Sequence, residues 1–329
     1  MGGVPMSFTF RRSWVLALLL VATLSLGVSA ERAWVGNRGA ATVDVWDTTV
    51  PLAPPATSTI VVGAGPIDMA SDRTDAAGPS RLFVACSGSS TISVIDPVHM
   101  TAFATISTDS IFGSFDTPSG LARVAADPTA AAPGTLGPTI AMVDQKATPA
   151  GYGPAGRSTL RFISPTTNTV VDALRDPSGS ARYNDVVFTS SGANRRLWIG
   201  DDGDKGVVAV RIPSGLSGPP FLMGNVITFG WSGIADFIFD PAATPAFLLA
   251  PRRLATNGTN RVVVADAASS VVAILDANYI STGAAGEPGA VLQNVTLPVG
   301  SGTAVDVQVV GGNAYVTSTG GAANLHRIN

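Results

Sequence analysis

A short unit with the pattern of β-strands recurs along this chain, and residues 81–107 are its clearest copy. Residues 82–86 are an apolar run, residues 87–90 are a turn of small residues, and residues 91–96 alternate like a half-buried strand. A third β-like run follows at residues 100–106. Because a unit this small can bury its apolar face only against its neighbours, the repetition constrains the fold more than any single motif does.

Six copies of the unit can be aligned. Their first strands are at residues 33–37, 82–86, 140–144, 197–201, 262–266 and 314–318, and their second strands are at 42–47, 91–96, 159–164, 207–212, 271–276 and 325–329. Five copies have a third run, at 57–62, 100–106, 169–174, 226–229 and 291–297, and a strongly apolar fourth segment lies before the next copy, at 66–70, 121–125, 184–188, 235–239 and 305–309. The pattern predicts an all-β protein, a β-propeller of four-stranded antiparallel blades. Six blades fit the count best, with five or seven as alternatives, and the N-terminal copy lacks an innermost strand while the C-terminal copy lacks an outer one.

The unit resembles the YVTN-repeat β-propeller family of exported bacterial proteins. The matching residues are FVAC at 83–86, TISVID at 91–96, IVVG at 60–63 with GP at 65–66, and LPVG at 297–300. The resemblance extends over nearly the whole chain and is strongest at residues 81–107. It implies a fold rather than an activity, because the family covers many unrelated roles.

The first thirty residues predict a cleaved secretory signal peptide, with Arg11 and Arg12 before an apolar run at 14–26 and a small-x-small site at 28–30. An uncleaved membrane anchor is the alternative, but the run is shorter than the about 20 residues of a spanning helix. We therefore expect a single propeller domain at 31–329, exported to the periplasm or the extracellular space, with no membrane span after cleavage. Removing the two arginines from the 20 basic residues leaves 18 against 23 acidic ones, which argues against a nucleic-acid partner.

The third position of the predicted innermost strands carries the most informative side chains. It is occupied by Asp68, Arg123, Asp185, Asp236 and Asp306. Because innermost strands surround one axis, these residues are expected to form a ring, which could hold a divalent cation such as Ca2+ or a small polar ligand. Alternatively, each Asp accepts backbone N–H bonds from the neighbouring blade. Repetition favours this structural alternative, because a packing requirement recurs in every blade whereas a site needs only one asymmetric set.

Catalytic machinery is hard to find in the sequence. The two histidines, His99 and His326, lie away from the predicted innermost strands, no G-x-S-x-G motif is present, and Cys86 is alone on an apolar strand. We therefore expect a module that binds a protein or a small molecule, with no evident cofactor beyond the cation considered above. One alternative is a metal-dependent hydrolase or lyase of the propeller-lactonase kind that uses the axial carboxylates, although the chain has only two glutamates. A purely structural or surface-layer role is the other.

Overall fold

The computed structural model describes residues 32–47, 58–72, 81–108, 120–126, 140–146, 158–164, 167–175, 182–191, 194–203, 206–212, 235–238, 250–278, 291–310, 312–319 and 325–329. Two compact units divide the chain, one comprising Met1–Val35 and Val43–Ile60 and the other Gly36–Thr42 and Val61–Asn329. Every regular element in the described ranges is a strand, which confirms the all-β prediction. No helix that could cross a membrane occurs in these ranges.

Six sheets are present in the described residues. The first consists of β1 (Arg32–Asn37), β2 (Thr42–Asp47) and β3 (Ser58–Val61), paired in that order. Four four-stranded sheets follow: β4 (Pro66–Asp72), β5 (Arg81–Cys86), β6 (Thr91–Asp96) and β7 (Thr101–Ser107); β8 (Gly120–Ala126), β9 (Ile140–Lys146), β10 (Thr159–Ser164) and β11 (Thr169–Arg175); β12 (Tyr183–Ser191), β13 (Asn194–Asp201), β14 (Gly206–Ile212) and β15 (Ala235–Ile238); β16 (Pro251–Thr256), β17 (Arg261–Asp266), β18 (Val271–Asp276) and β19 (Val291–Thr296). The last sheet consists of β20 (Ala304–Val310), β21 (Asn313–Ser318) and β22 (Leu325–Ile328).

In each of the last five sheets, sequence neighbours pair antiparallel, so that the strand that comes first in the chain lies at one edge. We call β4, β8, β12, β16 and β20 the leading strands. Each leading strand contacts the leading strand of the next sheet, from β4 to β8, β12, β16 and β20 in turn. This row of adjacent strands is the arrangement that the prediction requires of innermost strands.

Apolar clusters join consecutive sheets, and they follow from the alternation of side chains along each strand. In β9, Ile140 and Met142 pack into a cluster with residues of β4–β7, while Ala141 and Val143 pack into a different cluster with residues of β12–β14. Likewise, Trp198 of β13 belongs to a cluster that contains Leu254 and side chains of β17 and β18. The sheets β8–β11, β12–β15 and β16–β19 therefore each contribute side chains to two clusters, one on either face.

One predicted innermost strand is wrong. Residues 235–239 were expected to lead a sheet, but β15 (Ala235–Ile238) pairs with β14 and is the last strand of the preceding sheet. The leading strand of the next sheet is β16, which has two consecutive arginines, Arg252 and Arg253, near its start. The predicted third run at 226–229 lies outside the described residues.

The glycine-rich segment that precedes β4 packs closely against the β5–β6 turn. The amide of Ser87 donates to the carbonyl oxygen of Gly65 (2.9 Å), and the amide of Gly88 donates to that of Ala64 (2.9 Å). Gly65 has a φ of +65°, and a Cβ atom there would lie 2.9 Å from the Gly88 nitrogen. The conformation and the contact both explain why this position is glycine.

Gly65→Ala is expected to lower the free energy of unfolding by about 2 to 4 kcal/mol, because left-handed backbone strain adds to the clash. Gly300→Ala is the matched control: Gly300 has a φ of +88°, but nothing lies within 4 Å of its would-be Cβ. The control should show the strain alone, about 1 to 2 kcal/mol. Urea unfolding of both variants checks this, and equal losses would contradict the proposed contact with the β5–β6 turn.

Candidate functional site

Five charged residues occupy equivalent positions on the leading strands. They are Asp68 on β4, Arg123 on β8, Asp185 on β12, Arg253 on β16 and Asp306 on β20, and we call them the charged row. Each charged residue pairs with one residue on the next strand of its sheet. In the same order, the residues that follow these partners are Cys86, Asp144, Asp201, Asp266 and Ser318. Because the leading strands are neighbours in sequence order, this equivalence places the five residues at one level of the protein.

A β-bulge precedes the charged residue in four of these five strands. The register shifts between Pro66 and Asp68, between Tyr183 and Asp185, between Pro251 and Arg253, and between Ala304 and Asp306. Bulges change the direction in which a side chain points and are common beside functional sites. The same irregularity thus recurs directly before Asp68, Asp185, Arg253 and Asp306.

The charged row corrects one predicted site residue. Asp236 lies on β15, opposite Ala209 of β14, and is therefore not on a leading strand. Arg253 takes the place that was predicted for it. Spacing along the chain points the same way, because the members of the charged row lie 7 to 17 positions before the start of the next strand, whereas Asp236 lies 25 before β17. The sequence of charges is consequently Asp, Arg, Asp, Arg, Asp, instead of four carboxylates around one arginine.

Asp68 and Asp185 link neighbouring sheets through backbone bonds. The amide of Val124 on β8 donates to Oδ2 of Asp68 (2.9 Å), and the amide of Leu254 on β16 donates to Oδ2 of Asp185 (2.8 Å). The other oxygen of Asp185 accepts the amide of Val186 (2.9 Å). The two bonds between sheets are the ones that the structural alternative predicts, and each also fixes the backbone beside an arginine of the charged row.

Arg253 and Asp306 form the open part of the charged row. The Nε atom of Arg253 lies 3.7 Å from Oδ1 of Asp306, which is an ion pair but longer than a hydrogen bond. The same oxygen accepts the amide of Val307 (2.9 Å). The Asp306 side chain is 63% exposed and the Arg253 side chain is 23% exposed. Among the described residues, none forms a hydrogen bond with the Arg253 guanidinium.

Burial and neighbouring charges shift the pKa values of three members of the charged row. Burial raises the pKa of Asp185 to about 7, although the Leu254 amide and the Arg253 charge oppose the shift. Burial also raises the pKa of Asp68. For Arg123, burial and repulsion by Arg253 lower the pKa, while the surrounding aspartates raise it. The site is therefore electrostatically coupled across the leading strands, with two cationic and three acidic groups.

A metal centre is not evident in the part of the chain that the structure describes. No three or more His, Cys, Asp or Glu side chains come together there in a group that could hold an ion. In the charged row, an arginine separates each aspartate from the next one. Their positive charges oppose a bound divalent cation, which requires several oxygen ligands around it.

A second acidic position, one residue beyond the charged row's partners, has a structural role. Oδ1 of Asp201 accepts the amides of Arg182 (2.8 Å) and Gly203 (2.9 Å). Oδ1 of Asp266 likewise accepts the amides of Ala250 (3.0 Å) and Ala268 (2.8 Å). Each buried carboxylate thus caps its own turn and holds the residue that enters the leading strand. These two carboxylates serve the fold, which leaves the charged row as the candidate site.

The chain is similar to several solved structures. One is a functionally unknown protein from Desulfotomaculum acetoxidans (14% identity, 88% of this chain and 73% of that one, TM-score 0.57). Others are a periplasmic gluconolactonase of Pseudomonas aeruginosa (16%, 90% and 78%, TM-score 0.52) and a candidate 6-phosphogluconolactonase of Bacteroides fragilis (13%, 92% and 78%, TM-score 0.51). No protein-family model matches the chain, and no curated protein does either. The two lactonase structures are β-propellers, and at these identities the likeness concerns the fold alone: the chain has an all-β, β-propeller fold.

Proposed function

We propose that this protein is an exported binding module that holds a small polar ligand at the charged row of its leading strands. The observation that carries the proposal is the Arg253–Asp306 pair. Its two charges are 3.7 Å apart, partly open to solvent, and not closed by a hydrogen bond between them. The Arg253 guanidinium is partly open to solvent and has N–H donors that no described residue uses, so these donors are available to a ligand.

Asp68 and Asp185 support this assignment because their carboxylates already accept backbone amides. Oδ2 of Asp68 and Oδ2 of Asp185 each accept a backbone amide of the next sheet, and Oδ1 of Asp185 accepts the Val186 amide of its own strand, so that these two side chains provide a fixed frame. Ligand sites commonly combine such a rigid frame with a few polar groups that remain available. Arg253 and Asp306 are the available groups here.

The proposal includes export because the first thirty residues are predicted to be a secretory signal peptide. A periplasmic protein among the structural neighbours is compatible with that location. The net negative charge of the chain favours a small molecule or a protein over a nucleic acid as partner.

A second candidate function is hydrolysis of a lactone or a related ester. The favourable observation is Asp185, because a carboxyl group with a pKa of about 7 can exchange a proton at neutral pH. Two structural neighbours are described as lactonases or candidate lactonases. Against this function, both oxygens of Asp185 already accept backbone amides and its side chain is buried. A binding role is therefore the better supported of the two.

Thermal unfolding with a panel of small molecules tests the binding function. The panel contains acetate, methylammonium, glycine, glucose, glucono-δ-lactone and calcium chloride, at constant ionic strength. At least one organic class should raise the melting temperature by a few degrees, because a ligand at about 100 times its Kd adds about 2.7 kcal/mol. Arg253→Gln and Asp306→Asn should remove that shift.

Arg261→Gln is the matched control. Arg261 is an exposed arginine at one end of β17, whereas the charged row lies beside Asp266 at the other end of that strand. This variant should keep the full ligand-induced shift. Absence of any shift, or a shift that survives in Arg253→Gln, would refute binding at the charged row. Turnover of glucono-δ-lactone that is lost in Asp185→Asn would favour the hydrolase instead, and a calcium shift lost in the same variant would favour a cation site.

A further inference from the structure

We infer that the ligand of the charged row is a small zwitterion whose carboxylate and ammonium groups are a few bonds apart, as in an α-amino acid. The inference rests on the binding function proposed above. It uses the order of charges along the leading strands, and the distance and the exposure of the Arg253–Asp306 pair. It also assigns a ligand group to each member of that pair.

The alternation of charge selects against ligands with a single charge. An anion that approaches Arg253 is repelled by Asp306 on β20, while a cation that approaches Asp306 is repelled by Arg253. Coulomb energies of like and unlike pairs at similar distances are equal in size, so these terms largely cancel. A ligand that carries both charges gains from both neighbours, because each of its charges lies beside its opposite.

The available atoms indicate how such a ligand would be oriented. Arg253 has Nη groups that form no hydrogen bond with the described residues, and a planar guanidinium binds carboxylates through two parallel N–H···O bonds. Oδ1 of Asp306 accepts the amide of Val307, whereas Oδ2 accepts none from the described part of the chain. The ligand carboxylate therefore lies on Arg253, and its ammonium group donates to Oδ2 of Asp306.

Burial distinguishes the two ends of the site. Arg253 is the more buried member and Asp306 is the more exposed one, at 23% and 63%. Behind Arg253, the amide of Leu254 is fixed by Asp185, so the guanidinium is carried on a constrained backbone. Because the two side chains are adjacent, the charges that they bind must also be adjacent on the ligand. This requirement favours an α-amino acid over a longer ω-amino acid.

Titration calorimetry with four probes tests the inference on the full-length mature chain. The probes are glycine, N-acetylglycine, which lacks the ammonium charge, glycinamide, which lacks the carboxylate charge, and 4-aminobutyrate, which separates the charges. Glycine should bind at least ten times more tightly than each of the other three. In Arg253→Gln and Asp306→Asn its Kd should rise at least tenfold, while Arg261→Gln should leave it unchanged.

The comparison among probes uses the unmodified protein, so it does not depend on whether a variant folds. Binding of N-acetylglycine or glycinamide as tight as that of glycine would overturn the zwitterion assignment but leave the binding function standing. Tighter binding of 4-aminobutyrate would overturn the α-amino acid spacing. If neither these probes nor the wider panel binds, both the inference and the proposed function fail.

Discussion

Replacing Trp198 by alanine is expected to lower the free energy of unfolding by about 3 to 5 kcal/mol, the usual range for loss of a large aromatic side chain from a core. Trp198 is fully buried and packs with Leu254, Val262 and Val264, so that it joins the β12–β15 sheet to the β16–β19 sheet. The cost should be at the upper end, because well-packed sheets can relax only partly into the space that is left. Urea unfolding followed by fluorescence and circular dichroism measures the change.

Two further variants separate the packing of Trp198 from its hydrogen bond. The indole Nε1 donates to Oγ1 of Thr189 (2.8 Å), and this pair is buried. Thr189→Val should cost about 1 to 3 kcal/mol, because it leaves the buried indole N–H without its acceptor. Val310→Ala, at an exposed side chain, should change stability by less than about 0.5 kcal/mol. A Trp198→Ala loss as small as that control would contradict the fold described for these two sheets.

Acidification from pH 8 to pH 5 is expected to stabilise the protein through Asp185. Because burial raises the folded-state pKa to about 7 from 3.8, the folded state holds this proton between those values while the unfolded state releases it. Stability therefore falls as pH rises through the folded-state pKa. Linkage over this window gives roughly 2 to 3 kcal/mol from this one group.

Comparison with Asp185→Asn isolates that contribution, since asparagine does not titrate. The amide keeps one acceptor for the Val186 or Leu254 backbone, so the variant is expected to fold with reduced stability. The difference in unfolding free energy between the wild type and the variant should shrink by the expected amount between pH 5 and pH 8. Asp68, whose pKa is also raised by burial, is present in both proteins. A pH-independent difference would show that Asp185 stays ionised.

Most strand positions could be predicted from the sequence, because short apolar runs rich in Val and Ile are typical of buried β-strands. The segments 82–86 and 262–266 are nearly continuous apolar runs, and they form β5 and β17, buried at all but their first residues. What local pattern could not decide was the sheet to which a strand belongs. The segment at 235–239 is apolar enough to lead a sheet, but its pairing with β14 makes it the last strand of the preceding one.

The candidate site was predictable only in part for the same reason. Asp68, Arg123, Asp185 and Asp306 were found because repeat alignment preserves their position. Arg253 was missed because β16 has two adjacent arginines in place of the apolar residues that identify a leading strand. The backbone bonds of Asp68 and Asp185 could not be assigned either, since every non-proline residue offers an amide and only the packed strands decide which one is reached.

The two-faced packing of the sheets has a consequence for how the protein would lose its structure. In the larger unit, a middle sheet contributes alternate side chains to two separate clusters. Unfolding of that sheet would therefore expose apolar surface on the sheets on either side. Among the described residues of this unit, each middle sheet shares its buried clusters with its neighbours. Melting of these sheets should therefore spread from one to the next as a single cooperative event, and partly frayed forms that lack one middle sheet should be too rare to detect.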